Sequence, residues 1–174
     1  WQGTLRKTFE KYFHPEKIDI ESKEIYDLIG SGRVPDMFQL STALGQSVVK
    51  KVKPSTLIET TAINSIMRLM SDSGEQPIDT FVRFKNDISQ WYDEMKSFNL
   101  NDEDIKLFEK HLEKVVGVAD SQEKAMLLSM DENIAGFDLM LATKLRKAIS
   151  KLKKSDAEEI KELFFKHGLE KGNK

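Results

Sequence analysis

Fourteen residues, LATKLRKAISKLKK at 141–154, hold Lys144, Arg146, Lys147, Lys151, Lys153 and Lys154 and no acidic side chain, in a chain whose formal net charge is only −2. On a helix, at about 100° per residue, Lys144, Lys147, Lys151 and Lys154 stack along one stripe, with Arg146, Ser150 and Lys153 on the next. Leu141, Leu145, Ala148, Ile149 and Leu152 take the opposite side, so the segment reads as an amphipathic helix with a cationic half and a buried half. A solvated Lys-rich face is the ordinary alternative. Such faces usually intersperse acids one turn away, as residues 156–162 do with Asp156, Glu158, Glu159 and Glu162. An uncompensated row of cations repels itself and suits an anionic partner. Phosphate is the fitting anion, because Arg grips it bidentately and Lys supplies point charge.

Other residue groups offer less chemistry. His14, His111 and His167 lie far apart in sequence without HxxxH or HExxH spacing, and there is no Cys, so no metal site is expected. Asp102, Glu103 and Asp104 have the composition of a metal site, but they also stand where the positive end of a helix dipole favours acids. Trp91-Tyr92 reads either as a stacking platform for bases or as core aromatics. Met67, Met70, Met126, Met130 and Met140 fall at helical spacing, as core filler does. IGSGRVPD lacks both the spacing and the Lys of a phosphate-cradling loop. No catalytic residue is assigned.

The elements that must position the basic row read as helices throughout. The chain has 174 residues, 39 % hydrophobic against 32 % charged, enough to bury a core without disulfides. Four Pro and nine Gly punctuate it, and apolar residues recur at helical spacing. Leu5, Phe9 and Phe13 form a stripe closed by His14-Pro15. Further helices are expected over ESKEIYDLIGSG, ended by Gly30 and Gly32, over residues 37–53, stopped before Pro54, and over STLIETTAINSIMRLM. After a turn-rich loop, SDSGEQP, residues 78–98 read as one long helical segment. In NDEDIKLFEKHLEKVVG, Ile105, Phe108, Leu112 and Val115 make one buried face and Gly117 stops the helix. Asp120 with Glu123, and Ser155 with Glu158, have capping-box spacing. The expectation is an all-α domain of eight or nine helices over residues 1–174, without strand, repeat or linker. No apolar run reaches the length of a membrane span and no signal peptide opens the chain, so a cytoplasmic protein without a membrane partner is expected. The start at Trp1, without an initiator Met, suggests a piece of a longer protein.

The words around the basic row carry a resemblance. SQEKAML followed by IAGFDLMLATKLRKAISK resembles the Tyr-Gln-Glu-Gln-Val-Met, Ala-Gly-Phe/Tyr-Ser-Leu and Asp-Leu-Leu-Arg-Arg-Ala-Met run of the bacterial DNA polymerase III alpha subunit, a C-family DNA polymerase. Gln122 and Glu123 match its Gln-Glu pair, and Gly117 sits where the family has Tyr-Gly-Ile. Upstream, Phe38, Gln39 and Leu40 match a Phe-Gln-Leu-Glu-Ser motif. VVKKVKP resembles Leu-Leu-Lys-Leu-Lys-Pro, Arg68 takes the place of the arginine of Tyr-Arg-Pro-Gly-Pro, and IDTFVRFK resembles Ile-Pro-Xaa-Phe-Ile-Xaa-Arg-Lys. The matches keep the family order over roughly residues 17–154.

Departures are also visible. Arg68 is followed by Leu69, Met70 and Ser71 instead of Pro-Gly-Pro, and Ser41 and Leu44 replace a Glu and a Gly. Ser121 replaces the Tyr, and Lys147 replaces the second Arg, losing its planar fork. A divergent, phage-encoded polymerase fits this drift.

The resemblance implies a fingers domain that closes on the incoming nucleotide, with the catalytic carboxylates and Mg2+ in a palm domain elsewhere in the parent chain and no cofactor in this piece. Its triphosphate contacts fall on Arg146 and Lys147, with Lys151 and Arg68 as further candidates, and Lys144, Lys153 and Lys154 extend the phosphate patch toward DNA. The implied partners are dNTP, template–primer DNA, and the palm and thumb of the same chain. Such a piece could not polymerise alone. The rival reading is a non-enzymatic helical module whose basic helix docks on nucleic acid or an acidic protein.

Overall fold

The computed structural model describes residues 2–12, 14–69, 71, 74–151 and 154–172; for Gln2, Pro15, Ser150, Lys151 and residues 154–156 it describes the backbone alone. Among these residues there are ten α-helices and no strand. They are α1 (Gln2–Tyr12), α2 (Lys23–Gly30), α3 (Ala43–Val52), α4 (Leu57–Ile66), α5 (Pro77–Asn86), α6 (Ser89–Ser97), α7 (Asp102–Leu112), α8 (Gln122–Met130), α9 (Leu139–Lys151) and α10 (Lys154–Glu170). The all-α expectation holds. The helix beyond the expected eight or nine arises because residues 78–98 are two helices. At Asp87 the backbone turns extended, with φ −151°, and the carboxylate accepts from the Ser89 N–H at 3.1 Å and hydroxyl at 2.6 Å, starting a new helix.

Residues 1–60 form one compact unit and residues 61–174 another. In the first, α2 packs on α3, and Tyr26, Ile29, Val34, Leu40, Val48, Val49 and Val52 are buried. Residues 37–42, expected to be helical, are turns, because Asp36 and Gln39 both sit in the left-handed region at φ 60°. Thr42 then caps α3 by accepting the Gly45 N–H at 3.1 Å. Only Gly fits at 45, where a Cβ would stand 2.5 Å from the Gln39 carbonyl oxygen and the Leu40 Cα. The α1 stripe is not core: Leu5 and Phe9 are exposed, and Phe13 lies outside the described residues.

The second unit holds two apolar clusters. Phe84, Trp91 and Ile105 gather α5, α6 and α7, with Phe108 and Val116 against them. Ile134, Phe137, Ala142, Ala148 and Ile160 gather the 131–138 corner with α9 and α10, and Met126 and Met130 of α8 pack there as expected. Met140 is instead 67 % exposed, and Met70 lies outside the described residues. Asn101 and Asp104 form a reciprocal capping box at the start of α7, which accounts for its acidic first turn. Two capping expectations shift. Ser121, not Asp120, caps α8, accepting the Lys124 N–H at 3.3 Å. Ser155 is already inside α10, which runs from Lys154, so it is not the first cap.

Candidate phosphate-binding site

The site is built on α9. Asp138 opens it, its carboxylate accepting the Leu141 N–H at 2.7 Å. One face is fixed by burial: Ala142 and Ala148 are fully enclosed, with Leu141 and Leu145 packed beside them. The expected apolar side is therefore rotated slightly. Ala142 joins it, while Ile149 is 47 % exposed, because the helix meets α8 and α10 along the 142, 145 and 148 line. Leu152 lies outside the described residues.

That rotation leaves the cations outward. Lys144 and Lys147 are exposed and Arg146 is half-buried. Among the described residues, neither Lys144 nor Arg146 has a hydrogen-bond or ion-pair partner for its side chain, in contrast to Arg6, Lys23 and Arg83, which are paired. Their charge is available to an external anion. Lys153 lies outside the described residues, as do the side chains of Lys151 and Lys154. The structure thus places Lys144, Arg146 and Lys147 on one helix and describes half of the six-cation row.

The other motif residues are distributed. Gln122 and Glu123 occupy the first turn of α8, which packs on α9. Arg68 lies exposed in the turn after α4, and among the described residues no hydrogen bond or ion pair joins its side chain to α9. Phe38, 77 % exposed, and Gln39 belong to the first unit, where the Gln39 amide oxygen is buried without a hydrogen-bond partner among the described residues. Trp91 is core: its ring meets Tyr92 edge-on at 4.9 Å and is nearly fully enclosed, so it offers no stacking face. Among the described residues no group of three or more His, Asp or Glu is gathered to hold a metal, and no helix is long and apolar enough to cross a membrane.

One polar centre escapes sequence reading. Asp131, at the end of α8, has a side chain only 6 % exposed, and its Oδ2 accepts from Lys110 Nζ at 3.0 Å and pairs with His111 Nε2 at 2.8 Å, both from α7. Its Oδ1 accepts the Asn133 N–H at 2.9 Å and the Asn133 amide at 3.2 Å. The Asn133 N–H above all, then His111, holds this carboxyl well below the ordinary carboxylate range. From the sequence, His111 offers only the chemistry of a metal ligand. Nothing in the sequence shows that the chain folds His111 back onto Asp131, twenty positions on.

The profile of the bacterial DNA polymerase III alpha subunit finger domain matches residues 2–172. A Bacillus subtilis (strain 168) protein named "Probable DNA polymerase YorL" is 46 % identical over 172 residues, covering 99 % of this chain and 13 % of that one. A "DNA-directed DNA polymerase" of Bacillus phage SPbeta is likewise 46 % identical, with the same coverage of 99 % and 13 %. The "DNA polymerase III subunit alpha" of Borreliella burgdorferi is 27 % identical over 176 residues, 97 % of this chain and 14 % of that one. The chain thus spans about an eighth of the length of these relatives. With the profile matched across nearly all of it, the chain belongs to the bacterial DNA polymerase III alpha subunit finger-domain family.

Proposed function

We propose that this finger domain works inside a longer DNA-directed DNA polymerase, where α9 holds the triphosphate of the incoming dNTP. Arg146 and Lys147 grip it, with Lys151 and Arg68 as further contacts, while Lys144, Lys153 and Lys154 meet phosphates of the template–primer. Phosphoryl transfer asks for neutralised charge and fixed geometry more than for new covalent chemistry. This chain supplies that grip, and the palm of the same polymerase supplies the carboxylates and Mg2+. The observation that carries the reading is the division of α9: its inner face is locked in the core, while exposed Lys144 and half-buried Arg146 have no hydrogen-bond or ion-pair partner among the described residues.

The test is Arg146→Ala with Lys147→Ala in the full-length polymerase, reading single-nucleotide incorporation and, separately, DNA binding. Each charge-assisted phosphate contact is worth about 1.5 kcal/mol at the low end suited to a partly exposed site, so losing both raises the nucleotide KM about a hundredfold. DNA affinity stays within about threefold, because the remaining cations of the row persist. Incorporation with an unchanged KM overturns the assignment of these residues.

A further inference from the structure

We propose that Asp131 is a positioning residue for the phosphate row, tying the corner between α8 and α9 to α7 and so fixing where Arg146 and Lys147 stand. The inference rests on the nucleotide-binding reading of α9. Residues 131–138 form the corner, and Asp131 organises it from both ends of its own structure. Its backbone carbonyl accepts the N–H groups of Ile134 and Gly136, each at 2.9 Å, and its Oδ1 accepts that of Asn133. Oδ2 reaches outside the corner, to Lys110 at 3.0 Å and His111 at 2.8 Å on α7.

The corner has further anchors. Phe137 meets Phe164 and His167 of α10, and Glu132 pairs with Lys171 at 2.6 Å. The bonds of Asp131 reach α7, where Leu107 also packs against the apolar cluster that holds Ile134. Removing them leaves the apolar anchoring intact, so the corner shifts without coming apart. Arg146 stands seven residues into α9, about 10 Å along the axis at 1.5 Å per residue, so a tilt of about 5° at the corner moves it by about 1 Å. A displacement of that size is enough to disturb a phosphoryl-transfer geometry.

The experiment compares Asp131→Asn, His111→Ala and His111→Gln in the full-length polymerase, each alone, and Asp131→Asn also on the Arg146→Ala/Lys147→Ala background, reading nucleotide KM and kcat. Asp131→Asn raises KM about tenfold with kcat changed less than about threefold, His111→Ala moves KM the same way, and His111→Gln, which still donates to the carboxylate, returns it toward wild type. On the Arg146→Ala/Lys147→Ala background Asp131→Asn adds nothing, because no grip is left to position. If the KM factor of Asp131→Asn is the same on both backgrounds, or if Asp131→Asn and His111→Ala leave KM unchanged, the tie is structural only and the inference fails. Should Asp131→Asn not fold, the His111 pair decides on the same criteria. An unchanged KM for Arg146→Ala/Lys147→Ala by itself overturns the nucleotide reading first, and the inference with it.

Discussion

Replacing Gly117 by Ala should destabilise the second unit by about 2–5 kcal/mol, from two separate causes. Gly117 has φ +80°, in the region that L side chains avoid, and an Ala there costs about 1–2 kcal/mol. The added Cβ would also stand 2.2 Å from Trp91 Cδ1 and 2.4 Å from Nε1. The indole has to retreat by about 1.3 Å to regain ordinary carbon contact near 3.5 Å. It has no free direction, being 2 % exposed and enclosed by Phe84, Ile105, Phe108 and Val116. Overpacking of this kind typically costs about 1–3 kcal/mol. Urea denaturation followed by circular dichroism reads the effect as a midpoint lower by about 1–2.5 M at an m-value near 2 kcal/mol/M. Trp91→Leu, made in the Gly117→Ala background, should recover part of the loss, giving a coupling of about 1 kcal/mol or more. A cost below about 1 kcal/mol for Gly117→Ala would refute the packing of Trp91 against this turn.

Three further substitutions follow from the same unit. The Asp131 carboxyl is held below its ordinary value of 3.8 by Asn133, His111 and Lys110, so its contribution is full above that value and is lost as pH falls toward the lower folded one; wild type should lose stability below about pH 4 more steeply than Asp131→Asn, and parallel acid limbs would contradict this. Arg83 bridges Glu75 and Glu94, each at 2.8 Å, but all three side chains are about a third exposed, so Arg83→Ala should cost only about 1 kcal/mol in urea denaturation, and a loss above about 3 kcal/mol would show that screening has been overestimated. Phe137 is buried edge-on between Phe164 at 5.8 Å and His167 at 5.2 Å, so Phe137→Ala should cost about 3–5 kcal/mol, whereas a cost near 1 kcal/mol would mean that the corner before α9 is not anchored in the core.

Much of this was legible in the residues because helical spacing is a local signal. Ile105, Leu112 and Val115 are buried as their spacing required, and α9 buries Ala142 and Ala148 while Lys144 and Lys147 are exposed. Where reading failed, the deciding contacts were short polar ones. A carboxylate at Asp87 that accepts the Ser89 N–H at the start of the next helix splits what periodicity joins, and left-handed residues at 36 and 39 replace a helix start with turns. The exposed Leu5 and Phe9 show the limit in the other direction, since an apolar stripe records that a face is to be covered, not by what. For the site, the placement of Lys144, Arg146 and Lys147 on one helix was readable because it needs only residue type and spacing. The Asp131 centre was not, because it joins residues on α7 and α8 that only tertiary packing brings to 2.8 Å.

The most direct test of the account is the salt dependence of template–primer binding by the polymerase that carries this domain, with Lys144, Lys153 and Lys154 intact or replaced by Ala. Each phosphate contact contributes about 0.9 units to the log–log slope, so DNA phosphate binding by these three lysines predicts a slope shallower by about two units or more in the neutralised protein. Superimposable slopes, at any affinity, would mean that these lysines meet no phosphate of the DNA.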